Sequence, residues 1–422
     1  MNGKKSLPRH GASPVQNRAR RAGLCLFFFI PAMAAFSEPL YSPAWGFRID
    51  LPEGYEYTGG DGSSRFSFRH QDGAVFDLAV YNRVNQTVKA LVDDTVRRLG
   101  SQGDVSYFEY RDKLAALLEL DCADPETGGP AENRGGRLEG WALCVELGRD
   151  ESKGAASSGG SPPLLLALAY GPAGRADLAA LHLSALDSIA PSEGERRFPG
   201  PVTEFSYPRG EAKKQRLAGL NIEALTREDD AEAAQALVDR EYRIFRRSLF
   251  SPRLEEACVR FYRAIYRDSW ERLADAAFQL ERYWNAGPGG EGDGVPAAGP
   301  GGENRVLAGK ALAWVQSFRY ERDLMGSDFV NLVSAAFEGR GDCDSRALLW
   351  AVVLAQADIP AAIMVSWEYR HAMGLGDLEG PGARFEAGEK KWLVAETTSP
   401  VAVGLIAQDF STIESWLGVI FE

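Results

Sequence analysis

The sequence predicts an α+β protein with an N-terminal antiparallel-sheet α/β sandwich, a helical middle segment and a C-terminal α+β domain. Short β-branched and aromatic runs, separated by glycine-containing turns, fill the first part and favour strands. Apolar residues at helical spacing fill the second part, and both patterns alternate in the third. A length of 422 residues is also long for one domain. The predicted parts are a signal peptide (1–37), the sandwich (41–190), a linker (191–215), the helical segment (216–284), a disordered loop (285–304) and the C-terminal domain (305–422).

The charge balance narrows the classes of partner. A quarter of the residues (25%) are charged, and the formal net charge is −12 at pH 7. Nucleic acids and anionic membrane surfaces both attract basic patches. We therefore expect no nucleic-acid partner.

The first 37 residues have the pattern of a signal peptide. A basic stretch without acids precedes the apolar run "AGLCLFFFIPAMAAFS", which is short for a membrane span. Small residues at Ala35 and Ser37 favour cleavage before Glu38. An uncleaved anchor helix or a misassigned start would explain the same pattern. With cleavage, we expect an exported protein, periplasmic or secreted, with no stable membrane span.

Residues 41–190 carry strand-like runs from "WGFRIDLP" to "PLLLALAYG", interrupted by two helical stretches. This order implies an antiparallel sheet with helices against it. The first helix, in "QTVKALVDDTVRRLG", has an apolar face made by Val88, Leu91, Val92, Val96 and Leu99.

The opening "Y…WGFRIDLPEGYEY" and the closing "LLLALAYGPAGRADLAALHLSALDSIAP" resemble the small α/β sandwiches of the PsbP and Mog1 type. Such domains mostly bind partners and do not catalyse. The resemblance therefore implies a protein partner for the N-terminal domain.

Export makes a disulfide plausible. Cys122 and Cys144 close two strand-like runs that one loop connects, and a bond between them would pin that loop. Both could equally be small apolar residues on neighbouring strands. Cys258 lies in a helical pattern and is expected in the core.

Two long helical stretches follow the Pro- and Gly-rich linker. In the second, Ser251 and Pro252 are the expected N-cap and first helical residue. Its apolar face is expected to pack against the C-terminal domain. That face comprises Cys258, Phe261, Ile265, Leu273, Ala277, Leu280 and Trp284. The glycine- and proline-rich stretch 285–304 lacks apolar anchors and is expected to be disordered.

The stretch "EGRGDCDSRALLW" places Cys343 where a turn becomes a helix. Gly341 permits the turn and Asp342 can cap the helix. The N–H groups of a helix N-terminus acidify a thiol and can donate to an oxyanion. Asp342 and Asp344 oppose the thiolate, so a nucleophile here would need a cationic partner.

The candidate partner is His371, since only four histidines occur and the others lie far earlier in the chain. It begins the strand-like run "HAMGL", and Glu396 ends the run "KWLVAE". Antiparallel pairing of these strands would bring Glu396 beside His371. The three residues would then act as nucleophile (Cys343), general base and acid (His371) and orienter (Glu396).

Cys343 has two other interpretations, a buried packing residue or a metal ligand. One Cys, one His and one Glu do not meet the four-ligand pattern of a structural zinc site. We expect no metal and no cofactor.

Four stretches within about 305–410 resemble the transglutaminase-like superfamily of papain-related cysteine enzymes. They are "VQSFRYERD", "GRGDCDSRALLWAVVLAQADIPAAIMV", "HAMGLG" and "KWLVAETTSPVAVGLI". By position, the family's nucleophile, histidine and acid fall on Cys343, His371 and Glu396. Many members have Asp at the last place. Trp314 and Gln316 precede the site and could approach the oxyanion.

The family contains protein cross-linkers, peptidases, peptide N-glycanases and inactive scaffolds. The resemblance implies a cysteine hydrolase or acyltransferase that acts on peptide or carboxamide bonds of a protein or peptide substrate through a thioester. The alternative is a non-catalytic binding or scaffold protein that keeps the fold.

Overall fold

A computed structural model describes residues 39–82, 85–123, 136–148, 161–286, 302–322, 327–410 and 412–421. All of them belong to one compact unit, Ser37–Glu422, with a mixed α+β architecture. The predicted signal peptide lies outside the described residues.

A large antiparallel sheet of seven strands, in the order β3-β4-β5-β9-β8-β7-β6, dominates the N-terminal half. Its strands are β3 (Tyr55–Gly60), β4 (Arg65–His70), β5 (Val75–Tyr81), β6 (Val105–Tyr110), β7 (Lys113–Ala123), β8 (Arg137–Glu146) and β9 (Leu164–Pro172). A short separate pair precedes them, β1 (Leu40–Tyr41) and β2 (Arg48–Ile49).

Two helices cover opposite faces of this sheet. Helix α1 (Val88–Leu99) begins at Thr87, whose hydroxyl accepts from the Ala90 N–H, and ends at Gly100 in the left-handed region. Its predicted apolar face packs on one side of the sheet, and helix α2 (Ala179–Asp187) packs on the other. The alternation of the strand residues explains both layers, because neighbours along a strand face opposite sides.

The two cysteines of the sheet are not joined in a disulfide. Strands β7 and β8 are neighbours, but the register places Cys122 opposite Leu138 and Cys144 opposite Ala116. The two sulfurs are therefore offset along the strands, and the proposed bond is wrong. The alternative, small apolar residues on neighbouring strands, describes their buried positions.

The stretch expected to be a linker, 191–215, is structured. It contains helix α3 (Pro201–Ser206) and most of strand β10 (Ala212–Arg216), which pairs with β11 (Glu223–Arg227). The latter strand lies in a run that was predicted as helix. Helicity starts only at α4 (Asp230–Phe245).

The second helical stretch forms two helices, α5 (Leu254–Arg272) and α6 (Ala274–Ala286). Helix α5 begins after Arg253, and not at the predicted N-cap Ser251, whose hydroxyl accepts from the Arg253 N–H at 3.1 Å. All seven residues of the predicted apolar face are buried, which confirms their core assignment.

Buried charges fasten α4 and α5 to the N-terminal half. Arg260 on α5 donates to Glu53 at 2.8 Å and to Glu241 on α4 at 2.7 Å. Arg240 continues the chain of ion pairs, from Glu241 to Asp187 at the end of α2. All five side chains are at most 11% exposed. We call these five residues the ionic junction.

The C-terminal part begins with α7 (Gly302–Gln316), so the predicted disordered loop is too long at both ends; its centre, 287–301, lies outside the described residues. A five-stranded antiparallel sheet follows, in the order β16-β17-β15-β14-β18. The elements are β12 (Arg319–Tyr320), α8 (Leu332–Glu338), β13 (Arg340–Gly341), α9 (Cys343–Gln356), β14 (Ala361–Ser366), β15 (His371–Gly376), β16 (Arg384–Ala387), β17 (Lys390–Ala395) and β18 (Leu417–Ile420).

Helix α9 packs on β14 and β15 inside a core that it shares with the middle helices. Glycines on β15 allow this close approach: a Cβ at Gly374 would lie 2.5 Å from the ring of the buried Trp350. The packing explains the small residues of "HAMGLG", and it places the start of α9 beside the start of β15. No helix in the described part of the chain is long and apolar enough to cross a membrane.

Candidate active site

Cys343 is the first residue of α9, as predicted. The carboxylate of Asp342 caps the helix, accepting from the Ser345 N–H at 2.8 Å and from its hydroxyl at 2.7 Å. A left-handed Gly339 ends the preceding helix α8. The turn thus presents the thiol at a helix N-terminus.

The thiol is enclosed, and its nearest charged neighbours are acids. Cys343 is 6% exposed, and its S–H donates to Oδ2 of Asp344 at 3.6 Å. Burial, followed by the charges of Asp344 and Asp342, raises the pKa of Cys343. The backbone N–H of Ala372 donates to the sulfur, which lowers the pKa but does not offset the rise. In this arrangement the sulfur is a protonated thiol at neutral pH.

His371 and Glu396 lie together, as strand pairing predicted. Strands β15 and β17 are antiparallel neighbours, with Gly374 opposite Ala395. Nε2 of His371 and Oε2 of Glu396 are 2.8 Å apart. The other carboxylate oxygen of Glu396 accepts from the N–H and the hydroxyl of Thr398, each at 2.7 Å. Although burial raises the pKa of Glu396, the hydrogen bonds from His371 and Thr398 outweigh it and lower the value.

The thiol lies beside this pair. Ala372, whose N–H donates to the sulfur, directly follows His371 in β15. Because Nε2 of His371 is bound to Glu396, Nδ1 is the nitrogen left to exchange a proton with a nucleophile. Among the described residues, however, the S–H bond of Cys343 is to Asp344 and not to His371.

Aromatic rings hold the imidazole from the other sides. The ring of Phe410 is 5.2 Å from that of His371, and the ring of Trp416 is 6.3 Å away. Tyr369 packs on both of these aromatic residues. These contacts restrict the rotation of the imidazole, which a positioned general base requires.

The two residues that could have approached the oxyanion are committed elsewhere. The indole N–H of Trp314 donates to the carbonyl of Ala218 at 2.9 Å. The amide of Gln316 donates to the carbonyls of Glu396 and Val401, at 2.8 and 2.9 Å. Gln316 thus fixes the backbone that carries Glu396.

A middle-segment residue reaches the site. The phenol of Tyr262, on α5, donates to Oδ1 of Asp344 at 2.5 Å. The side chain is 7% exposed, so α5 covers this side of the thiol. The sequence carried no signal for this contact, since 82 residues separate the partners.

The described residues contain no group of three or more His, Cys, Asp or Glu side chains placed to hold a metal ion. Within the site, the atoms of His371 and Glu396 that could bind a metal, Nε2 and Oε2, form a hydrogen bond with each other.

Comparisons with known proteins give little beyond the geometry. No protein-family model and no curated protein matches the sequence. A solved structure from Bacteroides thetaiotaomicron aligns with this chain. The alignment covers 55% of this chain and 77% of the other, with 10% sequence identity and a TM-score of 0.24. A score this low carries no argument about fold or function.

Proposed function

We propose that this chain is an exported, transglutaminase-like cysteine hydrolase or acyltransferase that cleaves peptide or carboxamide bonds through a thioester. The proposal includes a transglutaminase-like, papain-related fold for 305–422 and a PsbP/Mog1-like sandwich for 41–190. The sequence stretches around Cys343, His371 and Glu396 that resemble this superfamily support the proposal.

The observation that carries the proposal is the 2.8 Å contact between His371 and Glu396, with the sulfur of Cys343 at the N–H of the residue next to His371. A nucleophile, a base and a group that orients the base are the parts that acyl transfer needs.

The reaction follows from these roles. The sulfur of Cys343 attacks the carbonyl carbon, and the thiol proton passes to Nδ1 of His371. The imidazolium, stabilised by Glu396, gives that proton to the leaving nitrogen as the C–N bond breaks and the thioester remains. Water or an amine then attacks the thioester, its proton passes to His371, and the thiol is restored. Water as acceptor gives hydrolysis, and an amine gives cross-linking.

The raised pKa of Cys343 decides how the first step proceeds. A standing thiolate–imidazolium pair is disfavoured between two acids. His371 must therefore take the proton as the sulfur attacks, which makes its position essential.

The test is a screen of the purified mature protein on peptide and glutamine-amide libraries, with and without an added amine. We expect turnover that Cys343→Ala abolishes and that Glu396→Gln reduces at least about tenfold. Product formation that persists in Cys343→Ala would overturn the proposal.

A second candidate function has its own support. A buried, protonated thiol between acids also fits a non-catalytic scaffold in which the N-terminal domain binds a protein partner. This candidate predicts no thioester on any library member and a partner-binding affinity unchanged by Cys343→Ala, measured by calorimetry once a partner is in hand.

A further inference from the structure

Three side chains from two parts of the fold form one hydrogen-bonded chain at the thiol. The phenol of Tyr262 donates to one oxygen of Asp344, and the S–H of Cys343 donates to the other. Both carboxylate oxygens therefore have a donor. The phenol comes from α5, which lies outside the C-terminal domain, and binds the carboxylate oxygen that does not contact the sulfur.

The neighbouring acid does not serve this purpose. The Oδ1 of Asp342 accepts both bonds from Ser345 as the helix cap, so that residue is held away from proton exchange with the sulfur. Asp344 has no capping bond of this kind, and among the described residues its partners are Tyr262 and Cys343.

Other charged and titratable groups near the sulfur or Asp344 lie on several elements. Asp342 precedes α9 and Arg346 lies on it, while Tyr320 ends β12 and Arg322 follows two residues later. Cys258 and Tyr262 lie on α5, His371 begins β15, and Glu396 follows β17. Arg346 is occupied with the carbonyls of Gly341 and Phe318.

We infer that Asp344 is a positioning residue that, anchored by Tyr262, holds the proton of Cys343 away from His371 in the resting protein. The inference rests on the proposed function and deepens it. For the sulfur to react, the S–H of Cys343 must give up its hydrogen bond to Asp344 and pass its proton to Nδ1 of His371. The contact between Tyr262 and Asp344 therefore sets how readily the site becomes active. Helix α5 is thereby part of the active site and not only its support.

The test is the pH dependence of iodoacetamide labelling, with the adduct located by mass spectrometry. Carbamidomethylation forms an S–C bond, and iodide and the thiol proton leave. Asp344→Asn removes the negative charge and the strong acceptor. We expect its labelling midpoint to fall by at least about one pH unit, a tenfold gain in rate below the midpoint. Tyr262→Phe frees the carboxylate from its anchor, and we expect a smaller fall.

The matched control is Tyr266→Phe, one turn further along α5, where the buried ring stacks on Phe421. Its midpoint should equal that of the wild type. In the double variant, Tyr262→Phe should add nothing to Asp344→Asn, because the phenol acts only through the carboxylate. Additive shifts, or a midpoint for Asp344→Asn equal to the wild type's, would overturn the inference.

A further variant separates this inference from the proposed function. His371→Ala in the Asp344→Asn background removes the base but not the effect of the charge. Slower labelling than in Asp344→Asn alone supports the role of His371. An equal rate contradicts the triad, while the shift caused by Asp344→Asn still stands as measured.

Discussion

Two regions of this molecule bury charge in opposite ways. In the ionic junction, Arg260 lies between Glu53 and Glu241, so each buried charge has an opposite neighbour within 3 Å. Burial alone raises the pKa of Glu241, but the charges of Arg260 and Arg240 outweigh it and lower the value. At the start of α9, two acids instead flank a buried thiol.

The difference separates a site that stabilises the fold from the site that we propose to be reactive. Paired charges hold α4 and α5 against the N-terminal half, and removing one partner leaves an uncompensated charge. At Cys343, burial and then the like charges of neighbouring acids raise the pKa of the thiol and of Asp342. A raised pKa at a buried nucleophile with acidic neighbours is the kind of shift that clusters at functional sites, whereas the lowered pKa of Glu241 belongs to an ion-pair network.

The junction can be broken by one substitution. Arg260→Met keeps most of the volume but leaves Glu53 buried without its cation, and Glu241 with Arg240 as its remaining cation. We expect a loss of about 3–5 kcal/mol in the free energy of unfolding, measured with urea. The control Arg98→Gln, at an exposed pair with Asp94, should lose less than about 1 kcal/mol. Similar stability of both variants would show that the junction is not structural.

At the thiol, a buried acid should have the opposite effect on stability: the charge of Asp342 destabilises the folded protein. Burial, followed by the charge of Asp344, raises the pKa of Asp342 to about 7. Unfolded Asp titrates at about 3.9, so between about pH 4 and 7 only the folded state keeps the proton, and the contribution of Asp342 to stability falls as pH rises.

Asp342→Asn keeps a helix-capping oxygen and removes this titration. We expect the variant to become more stable than the wild type across that window, by at least about 1 kcal/mol at pH 7, as measured by urea unfolding at each pH. A stability difference that is constant from pH 4 to 7 would contradict the raised pKa.

Gln316→Ala sharpens the comparison within the site itself. It removes two hydrogen bonds to the backbone near Glu396, so we expect a loss of about 1–2 kcal/mol in stability. Turnover on a library substrate should fall about tenfold, because the carboxylate loses its position. The exposed Gln102→Ala is the control. Full activity in Gln316→Ala would remove Gln316 from the positioning of Glu396.

The smallest effect is expected from reduction. Since Cys122 and Cys144 are not joined, dithiothreitol should leave the thermal unfolding midpoint unchanged. A native disulfide in a secreted domain stabilises by about 2–5 kcal/mol, so a clear fall of the midpoint would reveal one.

Local signals made part of the fold predictable. Helix α1 has a clear apolar face and both caps, and Asp342 caps α9 as expected. Strand β10, "AKKQR", is charged and exposed and shows no apolar alternation, so its pairing with β11 could not be read from the residues. Strand β3 ends in two glycines, a residue type that is depleted in strands and frequent in turns.

The site divides in the same way. Strand pairing predicted that Glu396 lies beside His371, because His371 begins β15 and Glu396 directly follows its neighbour β17. The contacts of Tyr262 and Gln316 depend on how distant segments pack. Gln316 was expected near the site but with a different contact, and Tyr262 was not expected there. The resemblance to a family identified candidate reacting groups but not what surrounds them.

The most direct test of the central claim is the labelling rate of Cys343 by iodoacetamide near pH 7, compared between the wild type and His371→Ala. The other described cysteines are buried, and peptide mapping assigns the adduct. If the imidazole takes the thiol proton, labelling of Cys343 slows by about tenfold or more in the variant. Equal rates in the two proteins would contradict the account of a nucleophile served by His371.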